Sequence, residues 1–184
     1  MSSSLTAAPS DAQSSDARLN TIPSLDGAPP LVTVRHLSKT YRGRPALRDL
    51  SLSLPAGRIV GLMGANGCGK TTLLKILAGV LADYEGQVRI AGHAPGPQSK
   101  ALVSFLPDAD FLATSLTPPR AIAQFSRLFA DFDAAKARRL VDFFALPAER
   151  SIKEMSKGMG EKLRIALMMS RRARVYLLDE PISG

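Results

Sequence analysis

The sequence predicts an α/β domain, and three observations carry the prediction. A short apolar run, Arg58-Ile59-Val60-Gly61-Leu62-Met63, leads straight into a glycine-rich loop and then a helical pattern from Thr71 to Leu81. Further apolar strands and amphipathic helices follow in mixed order, the order expected of a mainly parallel sheet covered by helices. The composition can supply a core: 184 residues, 45% hydrophobic and 22% charged, are ordinary values for one globular domain.

The elements follow in chain order. Residues 1–30 hold seven Ser, five Ala and four Pro without apolar periodicity, so a disordered extension is expected there. That stretch has neither the apolar core of a secretory signal nor the arginine-rich character of a transit peptide. Leu31–Val34 reads as a short strand, and the alternation from Leu50 to Leu54 as a half-buried one. Pro55-Ala56-Gly57 is turn chemistry. Residues 58–63 suit a strand buried on both faces. Leu73, Leu74, Ile76, Leu77, Val80 and Leu81 fall at helical spacing, with Gly79 loosening the end.

Strands are expected at Gln87–Ala91 and Ala101–Leu106, then helices at Arg120–Phe129, after Pro118-Pro119, and at Ala134–Phe144. A helix over Gly160–Arg172 would bury Leu163, Leu167 and Ser170, or the adjacent Ile165, Met168 and Met169. Val175–Leu178 completes the series as a buried strand.

Charge narrows the partners without choosing one. The net charge is +8, but residues 1–30 carry one basic and three acidic groups, leaving 23 basic against 13 acidic in the rest. A basic body suits nucleic acid, an anionic surface or a polyphosphate. No aromatic-basic constellation supports nucleic acid. No apolar run approaches the ~18 residues of a membrane span, and one cysteine, Cys68, excludes an intrachain disulfide. A cytoplasmic location is expected.

The chemistry sits in two places. Gly64-Ala65-Asn66-Gly67-Cys68-Gly69-Lys70-Thr71 matches the phosphate-binding pattern G-x-x-x-x-G-K-[ST], in the required context of strand before and helix after. Glycines let successive amides turn inward toward phosphate, and the new helix adds the positive end of its dipole. Lys70 is then placed to reach the β- and γ-phosphates, and the Thr71 hydroxyl to bind Mg²⁺; Thr72 continues the loop into the helix. Cys68 reads as a tolerated small residue. The second place is Asp179-Glu180, directly after the strand Val175–Leu178. The first carboxylate can hold the metal, and the second can orient or deprotonate an attacking water.

With these motifs in hand, the sequence resembles the ATP-binding subunit of ABC transporters, over residues ~31 to 184. The resemblance implies a P-loop NTPase fold: a RecA-like α/β core, an antiparallel sheet before it, and a helical subdomain over about 108–156. It makes Tyr41, 23 residues before Gly64, the aromatic that stacks on adenine. It makes Met155-Ser156-Lys157-Gly158-Met159 the family's signature, usually Leu-Ser-Gly-Gly-Gln, which grips the γ-phosphate of the ATP held by an opposite subunit. Ser156 can cap the following helix while the amides of Gly158 and its neighbours form an anion site. Lys157 and Met159 depart from the usual Gly and Gln. Position 108 departs further: where the family carries a Gln near Mg²⁺, this chain has Asp108, whose carboxylate could still bind the metal.

The remaining histidines, His36 and His93, read as structural, and Arg171, Arg172 and Arg174 as a solvated basic face. The family continues past the Asp-Glu pair with a further strand that inserts between the phosphate-loop strand and the Asp-Glu strand, and with a histidine at the γ-phosphate. The sequence is therefore expected to be a C-terminally truncated part of a longer protein, with a gap in the centre of its sheet.

The expected function is MgATP binding and hydrolysis powering a separate membrane permease, with a second ATP-binding subunit completing the dimer and no nucleic-acid partner. The chain is placed on the cytoplasmic face of the inner membrane. A single ATPase unit without a fused membrane region resembles ABC-2-type exporters, which tilts the expectation toward export. Two alternatives stand beside it, a soluble ABC-type ATPase acting on ribosomes or DNA and a catalytically weak ATP-dependent clamp.

Overall fold

A computed structural model describes residues 20–21 and 29–180. Six strands and five α-helices occur among the described residues, in the order β1 (Asn20–Thr21), β2 (Val32–Tyr41), β3 (Arg44–Leu54), α1 (Lys70–Leu77), β4 (Glu85–Ile90), α2 (Pro97–Ala101), β5 (Val103–Leu106), α3 (Pro118–Leu128), α4 (Ala134–Phe143), α5 (Lys157–Met169) and β6 (Val175–Leu178), with a 3-10 turn at Ile152–Glu154 before α5. Within the extension expected to be disordered, Asn20 and Thr21 pair in parallel with Leu52 and Ser53; the rest of residues 1–28 lies outside the described residues.

The first sheet runs β1-β3-β2-β4, with β2 antiparallel to both β3 and β4. The β2–β3 turn has two residues, Arg42 and Gly43, both left-handed (φ 47° and 78°). Two such residues match the right-handed twist of the flanking strands. Both strands are longer than their alternation suggested, because each contains a bulge. On β2 the pairing steps from Val34 to Leu37, with His36 at φ 51°. The extra residue shifts the side-chain period, so Leu37 and Lys39 lie buried on the same face as Val32 and Val34. Gly86 of β4 fits beneath the bulge; a β-carbon there would lie 2.3 Å from the His36 carbonyl oxygen.

Helix α1 covers the buried face of this sheet with Leu73, Leu74, Ile76 and Leu77. It is shorter than the expected Thr71–Leu81, and Val80 is exposed. Gly79 is the reason. It takes φ 68°, its amide donates to the Ile76 carbonyl at 2.9 Å, and the Val80 amide donates to Lys75 at 2.9 Å. These reversed bonds satisfy the last carbonyls and stop the helix.

A second core joins α3 and α4 to α5 through Ala121, Ile122, Phe125, Ala137, Leu163 and Leu167, among others. Helix α5 starts earlier than expected, at Lys157, and buries Leu163, Leu167, Met168 and Ser170. Strands β5 and β6 form a parallel pair in the register Val103↔Val175 to Leu106↔Leu178.

Two expectations fail here for one reason. Residues 58–63 form no strand, and Ile59 and Met63 are 105% and 97% exposed. Likewise β6 buries Leu177 but leaves Leu178 exposed. An apolar run becomes a doubly buried strand only when neighbours pair its backbone and cover both faces. Among the described residues β6 pairs only with β5, and nothing pairs with 58–63.

Arginine 171 corrects a further expectation. It is buried, not part of a solvated face. Its guanidinium donates to the Val103 carbonyl at 2.8 Å and to both carboxylate oxygens of Asp131 at 3.1 Å, and it lies 4.3 Å from the Phe129 ring centroid. Planar geometry and five donors let one side chain tie the end of α5 to β5 and to the α3–α4 connection.

Candidate functional site

The phosphate-loop segment enters α1 through Gly69, whose φ of 98° is left-handed. A β-carbon at Gly69 would lie 2.3 Å from the Ala46 carbonyl oxygen and 2.8 Å from Leu47 Cδ2. Glycine is required twice, by backbone conformation and by the close approach of β3. Gly67 is also left-handed, at φ 80°, but faces open space. Cys68 is exposed, its amide donating to the Ala65 carbonyl at 3.2 Å.

Lys70 folds back over this loop, its ammonium donating to the carbonyls of Gly64 at 2.9 Å and Ala65 at 3.2 Å. An ammonium so held lies against the loop's own carbonyls. Phosphate oxygens entering the loop can exchange with these carbonyls, and a charge-assisted bond is about twice as strong as a neutral one.

The two motifs meet directly. The Thr71 hydroxyl donates to Asp179 Oδ1 at 3.0 Å, joining positions 108 residues apart. Asp179 is 3% exposed, and its amide donates to the Leu106 carbonyl at 2.9 Å, continuing the β5–β6 pairing. Its other oxygen, Oδ2, is buried without a hydrogen-bond partner among the described residues. A buried, unpaired carboxylate oxygen is costly, and a hard cation is a partner that removes the cost. A hydroxyl and a carboxylate are the oxygen donors Mg²⁺ takes, so the residues fit that ion. Glu180 follows in a left-handed conformation, φ 44°, which turns its side chain away from the strand alternation.

A cavity of about 330 Å³ is lined by Tyr41, Ala46, Asn66, Gly67, Gly69, Lys70, Thr71, Thr72 and Glu180. Tertiary structure thus brings the predicted aromatic, part of the loop and the predicted base to one depression, while Gly64, Ala65, Cys68 and Asp179 do not line it. A larger cavity of about 550 Å³ lies on the opposite face of the first sheet, beside Thr33, Arg35, Gln87 and Arg89, and contains none of the predicted residues.

Other predicted residues lie elsewhere. Asp108 is exposed and does not line the cavity; its carbonyl accepts from Arg164 at 3.5 Å, and Arg164 pairs with Asp110 at 2.8 Å. Ser156 caps α5, its hydroxyl oxygen accepting from the Met159 amide at 3.3 Å. Lys157 occupies the first helical position, outside the left-handed region, so no glycine is required there. Ser156, Lys157, Gly158 and Met159 are all away from the cavity. Among the described residues no group of three or more His, Cys, Asp and Glu gathers as a metal cluster, and no helix is long and apolar enough to cross a membrane.

Two residues at or beside the site, Ala46 in its lining and Lys39 behind Tyr41, have no sequence signal of their own. Ala46 carries no chemical signal at all; it matters because its carbonyl limits Gly69. Lys39 sits two positions before Tyr41, a spacing that signals a shared face only once the strand is known.

Comparison with known proteins agrees with this geometry. A family model described as ABC transporter matches residues 47–183. The chain is 29% identical over 156 residues to the ABC transporter ATP-binding protein YtrB of Bacillus subtilis, covering 84% of this chain and 53% of that protein. It is 34% identical over 167 residues to the spermidine/putrescine import ATP-binding protein PotA of Legionella pneumophila, covering 84% and 44%. The chain therefore spans about half the length of the curated relatives it matches. Among solved structures, one titled as the ATP binding subunit of an ABC transporter superposes with a TM-score of 0.73 at 26% identity, over 84% of this chain and 68% of that one. A putative ABC transporter ATP-binding protein from Pyrococcus furiosus, at 23% identity and TM-score 0.72, shares the fold. With a P-loop NTPase fold, a glycine-dependent loop of the G-x-x-x-x-G-K-[ST] pattern, a carboxylate held against its threonine and a family model over most of its length, this chain belongs to the ABC transporter family, among its ATP-binding domains.

Proposed function

We propose that this chain binds and hydrolyses MgATP to power a separate membrane permease, in a dimer of ATP-binding subunits. The observation that carries the reading is the Thr71–Asp179 hydrogen bond beside the unpartnered Asp179 Oδ2. Lys70 and the loop amides hold the phosphates. Thr71 and Asp179 hold Mg²⁺, which when bound neutralises charge on the β- and γ-phosphates. Glu180, at the rim of the same cavity, orients the attacking water and takes its proton. Tyr41 stacks on adenine from the far end of the cavity. Ser156, Lys157, Gly158 and Met159, lying outside this cavity, present a capped helix N-terminus to the ATP held by the opposite subunit.

Peripheral attachment at the cytoplasmic face of the membrane follows from dependence on a permease. Export is taken as the direction on the resemblance to ABC-2-type subunits alone; relatives named for import, such as PotA, weigh on the other side. The position of Asp108, exposed and outside the cavity, favours a second reading in which turnover is slow and the chain acts as an ATP-dependent clamp. Single-turnover hydrolysis by the complete subunit with its permease separates them. Mg²⁺-dependent hydrolysis stimulated by the permease supports the engine, and tight ATP binding without turnover supports the clamp. Failure to bind ATP overturns both.

A further inference from the structure

Lys39 is a buried cation with an unusual pair of neighbours. Only 6% of its side chain is exposed, its ammonium donates to Asp83 Oδ2 at 2.7 Å, and the same nitrogen lies 5.0 Å from the centroid of the Tyr41 ring. Asp83 itself is 94% exposed. Burying an ammonium costs free energy that an apolar residue at this position would not incur. Leu37, two positions earlier on the same face of β2, fills its place with carbon alone.

The arrangement reaches the cavity through Tyr41. Leu37, Lys39 and Tyr41 share one face of β2 by strand alternation, and the His36 bulge puts that face on the side of Val32 and Val34. Tyr41 is 44% exposed and lines the cavity with Gly69, Lys70 and Thr72. A cation over one face of an aromatic ring is attracted by its quadrupole and restrains the ring's rotation. With one face engaged by Lys39, the other is the one left for a stacking partner. The cation also draws π-density toward itself, which makes the opposite face a better platform for an electron-rich purine. Asp83 lies in the connection after α1, the helix that grows out of the phosphate loop. The chain Tyr41–Lys39–Asp83 thereby sets the ring's position relative to the helix that holds the phosphates.

We propose that Lys39, held by Asp83, is a positioning residue for the nucleotide base, acting through Tyr41. The inference rests on the ATP reading above and adds a determinant of base affinity that is separate from phosphate affinity. The test compares two ligands on the full chain: MgATP, and magnesium tripolyphosphate, which offers the phosphates without a base. In Lys39→Met the dissociation constant for MgATP is expected to rise about fivefold, in the range of a cation–π contact, while that for tripolyphosphate stays unchanged. Lys39→Arg should restore most of the loss. Asp83→Asn keeps an oxygen to accept from the Lys39 ammonium but removes the counter-charge; it should weaken MgATP in the same direction by a smaller factor, with a thermal melt recorded beside it to confirm that the variant is folded. Equal weakening for both ligands, or no change in MgATP affinity in either variant, overturns the proposal. A wild-type chain that binds tripolyphosphate but discriminates nothing by base also overturns it. A wild-type chain that binds neither ligand overturns the ATP reading itself and this inference with it.

Discussion

Gly69 and Ala46 are in such close approach that a β-carbon on the first would lie 2.3 Å from the carbonyl oxygen of the second. The contact locks the phosphate loop to β3. Gly69→Ala must therefore either displace β3 or reopen the loop, on top of a left-handed strain of about 1–2 kcal/mol. MgATP affinity is expected to fall at least tenfold and the melting temperature to drop. Gly67→Ala carries the strain without the clash and should lose only about 1 kcal/mol of stability. Titration calorimetry and thermal melts of the two variants check the contrast.

Lys70 and Glu180 should separate binding from chemistry. Lys70→Ala removes the ammonium now resting on the Gly64 and Ala65 carbonyls, and ATP binding should be largely abolished. Glu180→Gln keeps the size of a side chain at the cavity rim but cannot take a proton. It should bind ATP normally and reduce turnover by about 10²–10⁴-fold. Filter binding of labelled ATP alongside phosphate release measures both; unchanged turnover in either variant contradicts the assignment.

Gly86 is predicted to govern the site from a distance. Any side chain there meets the His36 carbonyl oxygen at 2.3 Å and the Arg35 oxygen at 2.7 Å. Gly86→Ala should cost about 2 kcal/mol or more. Because the same bulge sets the phase of Tyr41, ATP affinity should fall with it. Denaturant unfolding gives the first quantity and calorimetry the second.

Two adjacent arginines are predicted to differ sharply. Arg171→Ala strands the Asp131 carboxylate and the Val103 carbonyl, a loss of about 3 kcal/mol for a buried, hydrogen-bonded ion pair. Arg172 is exposed, with Asp133 3.7 Å away, and Arg172→Ala should change stability by less than about 0.5 kcal/mol. Urea melts of the two variants decide it, and equal effects would return Arg171 to the solvated face first assigned to it.

Asp133 gives a pH dependence with a definite sign. Its carboxylate accepts from the Lys136 amide at 2.8 Å at the start of α4. That bond, aided by Arg172 and Arg139, lowers its pKa below the ordinary carboxylate value. A lowered folded-state pKa contributes stability that is present above the unfolded pKa and lost as pH falls through the folded one. Asp133→Asn retains a cap without titrating. The melting temperatures of the two proteins should therefore diverge between neutral pH and pH 3, the wild type falling further. Parallel curves would show that Asp133 does not titrate in this way.

Most of the residues that the structure brings to the candidate site were legible in the sequence because their pattern is local. Eight consecutive residues, 64–71, carry the loop's glycines, lysine and threonine, and backbone conformation at glycine needs no distant partner to be inferred. Asp179-Glu180 was legible for a related reason, since an apolar run ending in two acids has few interpretations once a phosphate loop precedes it. The amphipathic helices were also readable, within a few residues, from periodicity.

Tertiary structure decided what depends on neighbours. Residues 58–63 are apolar enough for a buried strand, yet burial requires a paired strand on each side, which sequence composition cannot supply. Whether Lys39 is buried, and on which face Tyr41 lies, depends on one bulge at His36 that no alternation pattern announces. Arg171 reads as one of three basic residues until the α3–α4 connection brings Asp131 against it. Likewise the sequence suggests that Thr71 and Asp179 serve one ion, but not that they bond to each other directly. A 3.0 Å bond across 108 residues exists because α1 and the end of β6 converge in space, and a hydrogen bond depends on distance and angle in space, not on separation along the chain.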